Sequence, residues 1–159
     1  MVASRRTTIN HMFAAAVAPH DAHDEARLSE ALLQLGNDPD ADLLCGYCGQ
    51  SAETWDHIFA TVRDSRFSGF GHRLGNLLPC CKPCNSRKGN KSWQAHLESL
   101  RMPEPERIKR AELISNHINL YGLKEPEVSS TALHQRLDGI RLQILQLMEE
   151  ADEIAAQLR

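Results

Sequence analysis

The residues best suited to chemistry in this 159-residue chain are its five cysteines, which fall as Cys45-Gly46-Tyr47-Cys48 and Cys80-Cys81-Lys82-Pro83-Cys84. An odd count fits a disulfide framework poorly in a chain expected to work inside the cell. Two C-x-x-C pairs, Cys45/Cys48 and Cys81/Cys84, instead suit a structural zinc. Each pair chelates from one tight turn, and four thiolates close a tetrahedral shell. Redox-active or merely buried thiols are the competing reading, but a doubled pair is far more specific for a metal than a single one. Cys80 is the spare, and its spacing to Cys84 is less usual than that of Cys81.

Between and after the pairs stand Asp56-His57, Asn76 and Asn85, followed by Arg87, Lys88 and Lys91. Phosphodiester hydrolysis needs an activated water, a cation on the phosphate oxygens and donors that hold the backbone. A neutral imidazole is a suitable general base near neutral pH, which makes His57 the candidate. Carboxylate and amide oxygens are hard ligands of the kind Mg²⁺ or Mn²⁺ prefers. Arg87 and Lys91 are four residues apart, so one helical face is expected to follow phosphates, with Lys88 beside them. Taken singly, each has an ordinary explanation: a structural histidine, a turn asparagine, a helix cap, a solvated charged face. His72 and His96 are left open as substrate contacts or surface residues.

In order, Cys45–Cys48, Asp56-His57-Ile58, Asn76-Leu77, Cys81–Cys84-Asn85 and Lys88-Gly89 resemble the zinc-supported form of the HNH nucleases, which have the ββα-metal fold. The likeness covers residues from Cys45 to roughly Lys91. It implies a DNA endonuclease with His57 as general base, Asp56 and Asn85 holding a catalytic Mg²⁺ or Mn²⁺, and Asn76 stabilising the loop and orienting His57. It also implies products with a 5′-phosphate and a 3′-hydroxyl. Two positions depart from the family pattern: Ala60 replaces a frequent proline, and Phe70-Gly71 replaces a Gly-Gly. Asn85 replaces the final histidine, which the family permits.

These residues must be positioned by short elements. Glu53 to Phe59 alternates in the manner of a strand, and the glycine-rich passage from Arg63 to Gly75 reads as a loop or twisted hairpin. Lys82 to Leu100 reads as one helix, with Pro83 in its first turn. Residues 26–35 form an amphipathic helix stopped by Gly36, and Glu106 to Leu120 forms another. Met12 to Ala18 is apolar but too short for a leader, so an N-terminal helix and an intracellular protein are expected. The segments expected are therefore 1–42 (helical), 43–101 (nuclease core with zinc), 102–125 (helical extension) and 126–159 (linker and last helix). The fold class is α+β.

Composition agrees with a globular chain: 42% hydrophobic, 25% charged and only 5% aromatic. No apolar run approaches the roughly 18–20 residues of a membrane span. The net charge of −3 conceals a basic middle, with 11 basic and 4 acidic side chains in residues 63–110 between two acidic ends. Such asymmetry points to a local polyanion contact.

From Thr131 to Arg159, Leu133, Leu137, Ile140, Ile144, Leu147, Ala151, Ile154 and Leu158 alternate spacings of four and three. That is a heptad seam, and a homodimer through 131–159 is expected, giving one active site per DNA strand. Arg136 facing Arg141 of a second copy would disfavour the parallel arrangement. Leu142, Leu145 and Met148 lie off the seam and allow packing in cis instead. Two alternatives to the DNA nuclease stand beside it: a zinc ribbon that binds nucleic acid without cutting, and a nuclease whose substrate is RNA.

Overall fold

A computed structural model of the chain describes residues 5–122 and 131–158. In chain order the elements are α1 (Arg6–Val17), α2 (Glu25–Gln34), β1 (Thr54–His57), β2 (Val62–Arg63), β3 (Arg66–Phe67), a 3₁₀ turn (Leu74–Asn76), β4 (Leu77–Cys80), α3 (Lys82–Lys88), α4 (Trp93–Ser99), α5 (Glu104–Tyr121) and α6 (Ala132–Gln157). Helices with short antiparallel strands make this a mixed α and β protein, as expected. Among the described residues no helix is long and apolar enough to cross a membrane.

The chain forms two units. The larger comprises residues 19–60 and 70–122 and carries the cysteines. Its strands β1 and β4 pair antiparallel, with Thr54 opposite Cys80, Asp56 opposite Leu78 and His57 opposite Leu77. Helix α3 follows β4 directly and packs on β1. Ile58, Leu78, Trp93, Leu97 and Ile114 form the core around the cysteines and Tyr47. This unit draws on three of the segments expected from sequence, because α2 and α5 pack on each other and α5 also packs on α4 and on the 3₁₀ turn. The last contact is close: a side chain at Gly75 would collide with the backbone of Gly122.

Local signals set most boundaries. Asp24 caps α2 by accepting from Arg27 N at 3.0 Å, and Gly36, at φ +78°, follows its end. The single helix expected over 82–100 is two. Helix α3 stops at Gly89, whose φ is +49°, and α4 restarts where Ser92 accepts from Ala95 N at 3.2 Å. A glycine followed shortly by a good N-cap outweighs the apolar periodicity that spans the break.

The smaller unit comprises residues 5–18, 61–69 and 131–158. Its hairpin β2–β3 turns on Asp64 and Ser65, both at positive φ, the left-handed pair that a two-residue turn requires. Helix α6 lies along α1. Arg141 is buried here, donating to Asn10 Oδ1 at 2.7 Å and to Asp138 Oδ1 at 2.8 Å. It is therefore engaged within its own chain. The expected linker Pro126–Ser130 lies outside the described residues, as does Arg159 of the last helix.

Candidate metal centre and histidine pair

The ligand atoms of Cys45, Cys48, Cys81 and Cys84 lie within 4.8 Å of one another, close enough to hold a single metal ion. The Sγ atoms of Cys48 and Cys81 are 3.6 Å apart, near the roughly 3.8 Å edge of a tetrahedron with Zn–S bonds of about 2.3 Å. Two backbone turns present these sulfurs. In the first, Cys45 N donates to Gln50 O at 2.7 Å and Gly49 N to Cys45 O at 2.8 Å. Gly49 takes φ +74° there, and a side chain on it would collide with the Arg110 guanidinium. Arg110 itself donates to Cys45 O at 3.2 Å, fastening the turn to α5. In the second, Cys81 is the N-cap of α3 and Asn85 N donates to Cys81 O at 3.0 Å.

Cys80 is completely buried and stands outside the cluster. Its Sγ is 4.0 Å from that of Cys45 and 3.4 Å from Cys81 O. The ligand set is thus the one with two-residue spacing in both pairs. Burial, together with the negative charge of Cys45, pushes the Cys84 thiol up, and burial also raises Cys48. Four thiolates in so small a space need a cation among them, which is the condition a zinc ion meets.

One turn of α3 beyond Cys84 stands Lys88. Because Cys84 faces inward, Lys88 does too, and it is only 1% exposed. Its Nζ lies 3.0 Å from Asp56 Oδ2, and it donates to the backbone oxygen of His57 at 2.7 Å. Tyr47, inside the first cysteine turn, donates its hydroxyl to Asp56 Oδ2 at 2.8 Å. Burial pushes the Asp56 carboxyl up, against the opposing pull of the Lys88 ammonium. Lys88, expected as a phosphate contact, is enclosed and ion-paired. Asp56, expected to hold a catalytic metal, has both carboxylate oxygens engaged by Lys88 and one also by Tyr47. His96 packs edge-on against Tyr47 with its ring nitrogens buried and unbonded, and burial lowers its basicity.

His57 follows Asp56 on the opposite face of β1, and its Nε2 lies 2.9 Å from Nδ1 of His72. Asn76 makes this possible. Its side chain accepts from Phe59 N at 2.8 Å, donates to Phe59 O at 3.1 Å and donates to Gly71 O at 2.9 Å. One buried amide thereby ties the end of β1 to the loop residue preceding His72. His72 N also donates to Pro19 O at 2.7 Å.

Asn85 sits at the base of α3, and its Nδ2 faces Thr54 Oγ1 at 3.4 Å and Trp55 O at 3.3 Å. Arg87 and Lys91 are exposed, but they share no helical face, since α3 ends between them. Lys91 Nζ instead donates to Arg87 O at 3.0 Å and closes the end of α3. The basic middle is also less available than its count implies. Arg73 pairs with Asp21 at 3.6 Å, Lys82 with Glu53 at 3.4 Å and Arg110 with Glu106 at 2.6 Å.

No protein-family model, curated protein or solved structure matches this chain. The reading of the site therefore rests on its own geometry. That geometry adds residues the sequence did not single out, chiefly Tyr47, Trp55 and Arg110. The Cys84–Lys88 spacing carried a usable signal, for a lysine one turn from a metal-facing cysteine is directed inward. His72 carried none, because its meeting with His57 depends on the path of the loop.

Proposed function

We propose that this chain is a zinc-supported, metal-dependent endonuclease of the HNH type, with DNA as substrate and His57 as general base. The observation that carries the reading is the His57–His72 pair, held by Asn76 at the end of a strand whose partner leads straight into the cysteine-bearing helix. In this reading β1, β4 and α3 are the ββα core, and Cys45, Cys48, Cys81 and Cys84 hold the structural zinc.

In this reading His57 carries its proton on Nε2, shared with His72 Nδ1, and its Nδ1 takes the part of the base. Water attacks phosphorus as its proton passes to that nitrogen. The P–O3′ bond breaks, and the leaving oxygen takes a proton from solvent. A Mg²⁺ or Mn²⁺ ion would stabilise charge on the phosphate. With Asp56 paired to Lys88, Asn85 would be the protein ligand left from the expected pair, its amide oxygen being of the hard kind such an ion prefers. Arg87 and Lys91 would contact the backbone of DNA.

The burial of Asp56 favours a second reading, a zinc module that binds nucleic acid without cutting it. Plasmid DNA incubated with and without Mg²⁺ or Mn²⁺ separates the two, with the His57→Ala protein in parallel. Metal-dependent nicking that is lost in the variant supports the nuclease; binding without nicking supports the module. An RNA of the same sequence, cut in preference to DNA, would transfer the substrate class.

A further inference from the structure

Beside His72 lies a cleft that the chemistry above does not use. Trp55 and His57 alternate with Thr54 and Asp56 along β1, so they share the face opposite the buried carboxylate. Trp55 is 40% exposed and, with His72, lines a cavity of about 290 Å³. The facing wall is the stretch from Pro19 to Asp24 and the first turn of α2. This stretch runs beside the His72 loop through the His20–His72 bridge, and Leu74 N donates to Asp21 Oδ2 at 2.9 Å. Leu28, Leu74 and Leu77 make the interior mainly apolar.

The lining selects its occupant. Asp21 is balanced by Arg73 at 3.6 Å and by Arg27 at 4.0 Å, and Arg27 lines the cleft together with Asp24, so the charges of the wall answer one another and the largely apolar interior suits an uncharged group. A cavity of this volume is at the low end for ligand sites, which run from about 300 Å³ upward. That is room for one flat ring system, not for a base pair. An exposed indole offers such a ring a stacking surface.

We propose that the cleft receives one unstacked nucleobase adjoining the phosphate attacked at His57, with Trp55 as its stacking platform. The enzyme then favours single-stranded or locally opened DNA over intact duplex. The proposal rests on the nuclease reading for the position of the phosphate, but base capture can be measured without cleavage.

The test uses the full chain carrying His57→Ala, so that no substrate is consumed, and labelled single-stranded DNA read by fluorescence anisotropy. Trp55→Ala should weaken binding about 5- to 100-fold, whereas Trp55→Phe should stay within about threefold, because every aromatic ring offers a stacking face. Ala22→Phe fills the cleft from its far wall and should weaken binding similarly; it decides the matter should Trp55→Ala fold poorly. A strand lacking bases should bind weakly, and Trp55→Ala should leave that weak binding unchanged. Unaltered binding of the base-bearing strand by both Trp55→Ala and Ala22→Phe, or equal binding of the base-free strand, overturns the proposal. Absence of metal-dependent cleavage of both plasmid and single-stranded DNA by the unmodified protein would instead overturn the nuclease reading and leave base capture standing.

Discussion

Nε2 of His57 and Nδ1 of His72 stand 2.9 Å apart because Asn76 binds Phe59 and Gly71 with a single amide. The two histidines are 15 residues apart in sequence. A hydrogen bond to a group that becomes charged contributes about 1.5–3 kcal/mol, so His72 has enough leverage to govern the reactivity of its neighbour.

His72→Ala should therefore lower kcat about 10- to 100-fold, with any accompanying rise in KM coming from the place of His72 in the wall of the Trp55 cleft. His72→Asn, which offers Oδ1 near the position of Nδ1, should recover most of the loss. Nitrogen chemical shifts of His57 would report its proton on Nε2 in the unmodified protein and a mixture of tautomers in His72→Ala. A rise in KM alone, or no rescue by asparagine, would make His72 a substrate contact.

The Lys88–Asp56 pair leads to an opposite kind of result. Breaking a buried ion pair from one side leaves a charge without compensation and costs about 3–5 kcal/mol. Lys88→Met should show that loss in urea unfolding. The double variant Lys88→Met with Asp56→Asn should recover much of it. If Lys88 were a phosphate contact, Lys88→Met would weaken DNA binding at unchanged stability.

Much of this site was legible in the chain before any coordinates. The cysteine spacing identified the cluster, because chelation by a two-residue turn is a local property that sequence separation encodes. The elements α2, α5, β1 and α6 followed from periodicity and caps. What escaped were choices made by tertiary contact. Asp56 and Lys88 read as surface chemistry, yet they face each other because β1 and α3 pack together. The helix break at Gly89 was a local signal outweighed in the reading by Trp93, Leu97 and Leu100.

Zinc removal is the third test. Cys48 and Cys81 sit on opposite sides of the β1–β4 pair in sequence, so an ion between them closes a long loop and joins two core turns. Chelation should unfold the larger unit as followed by circular dichroism, and metal analysis should find about one zinc per chain. Cys80→Ser should keep both metal and fold, whereas Cys81→Ser should lose them. The reverse outcome would reassign the ligand.

His117 predicts a pH dependence. It is buried on α5, with Nε2 3.0 Å from Leu74 O and 3.1 Å from Leu77 O, while its Nδ1 is buried and unbonded. Burial lowers its basicity in the folded state, despite the opposing carbonyls. Its neutral form is thus favoured by folding. The associated stability is complete above the unfolded value near 6.5 and is lost as pH falls below it, by at most about 1.4 kcal/mol per pH unit. His117→Gln, which keeps a donor toward the carbonyls, should flatten that part of the stability profile measured by urea unfolding between pH 7 and 5. A profile of unchanged slope would show that other groups carry the acid sensitivity.

The seam on α6 divides between two environments, and this division makes the dimer testable. Leu137 and Ile144 are half-buried on the side where α6 meets α1, with Leu145 buried beside them. Leu133, Ile140, Leu147 and Ile154 recur every seven residues and are exposed, Leu133 at 75%. A stripe of that period fits a second copy of the same helix, whose matching stripe would cover it. Two copies would supply one site for each strand of DNA. Ile140→Asp with Leu147→Asp alters only the exposed stripe and leaves the α1 contact intact. Light scattering should find the unmodified chain dimeric and this variant monomeric. The variant should still nick plasmid, with linear product from cutting both strands greatly reduced. An unmodified chain that is monomeric at working concentration, or a variant that stays dimeric, would remove α6 from this role.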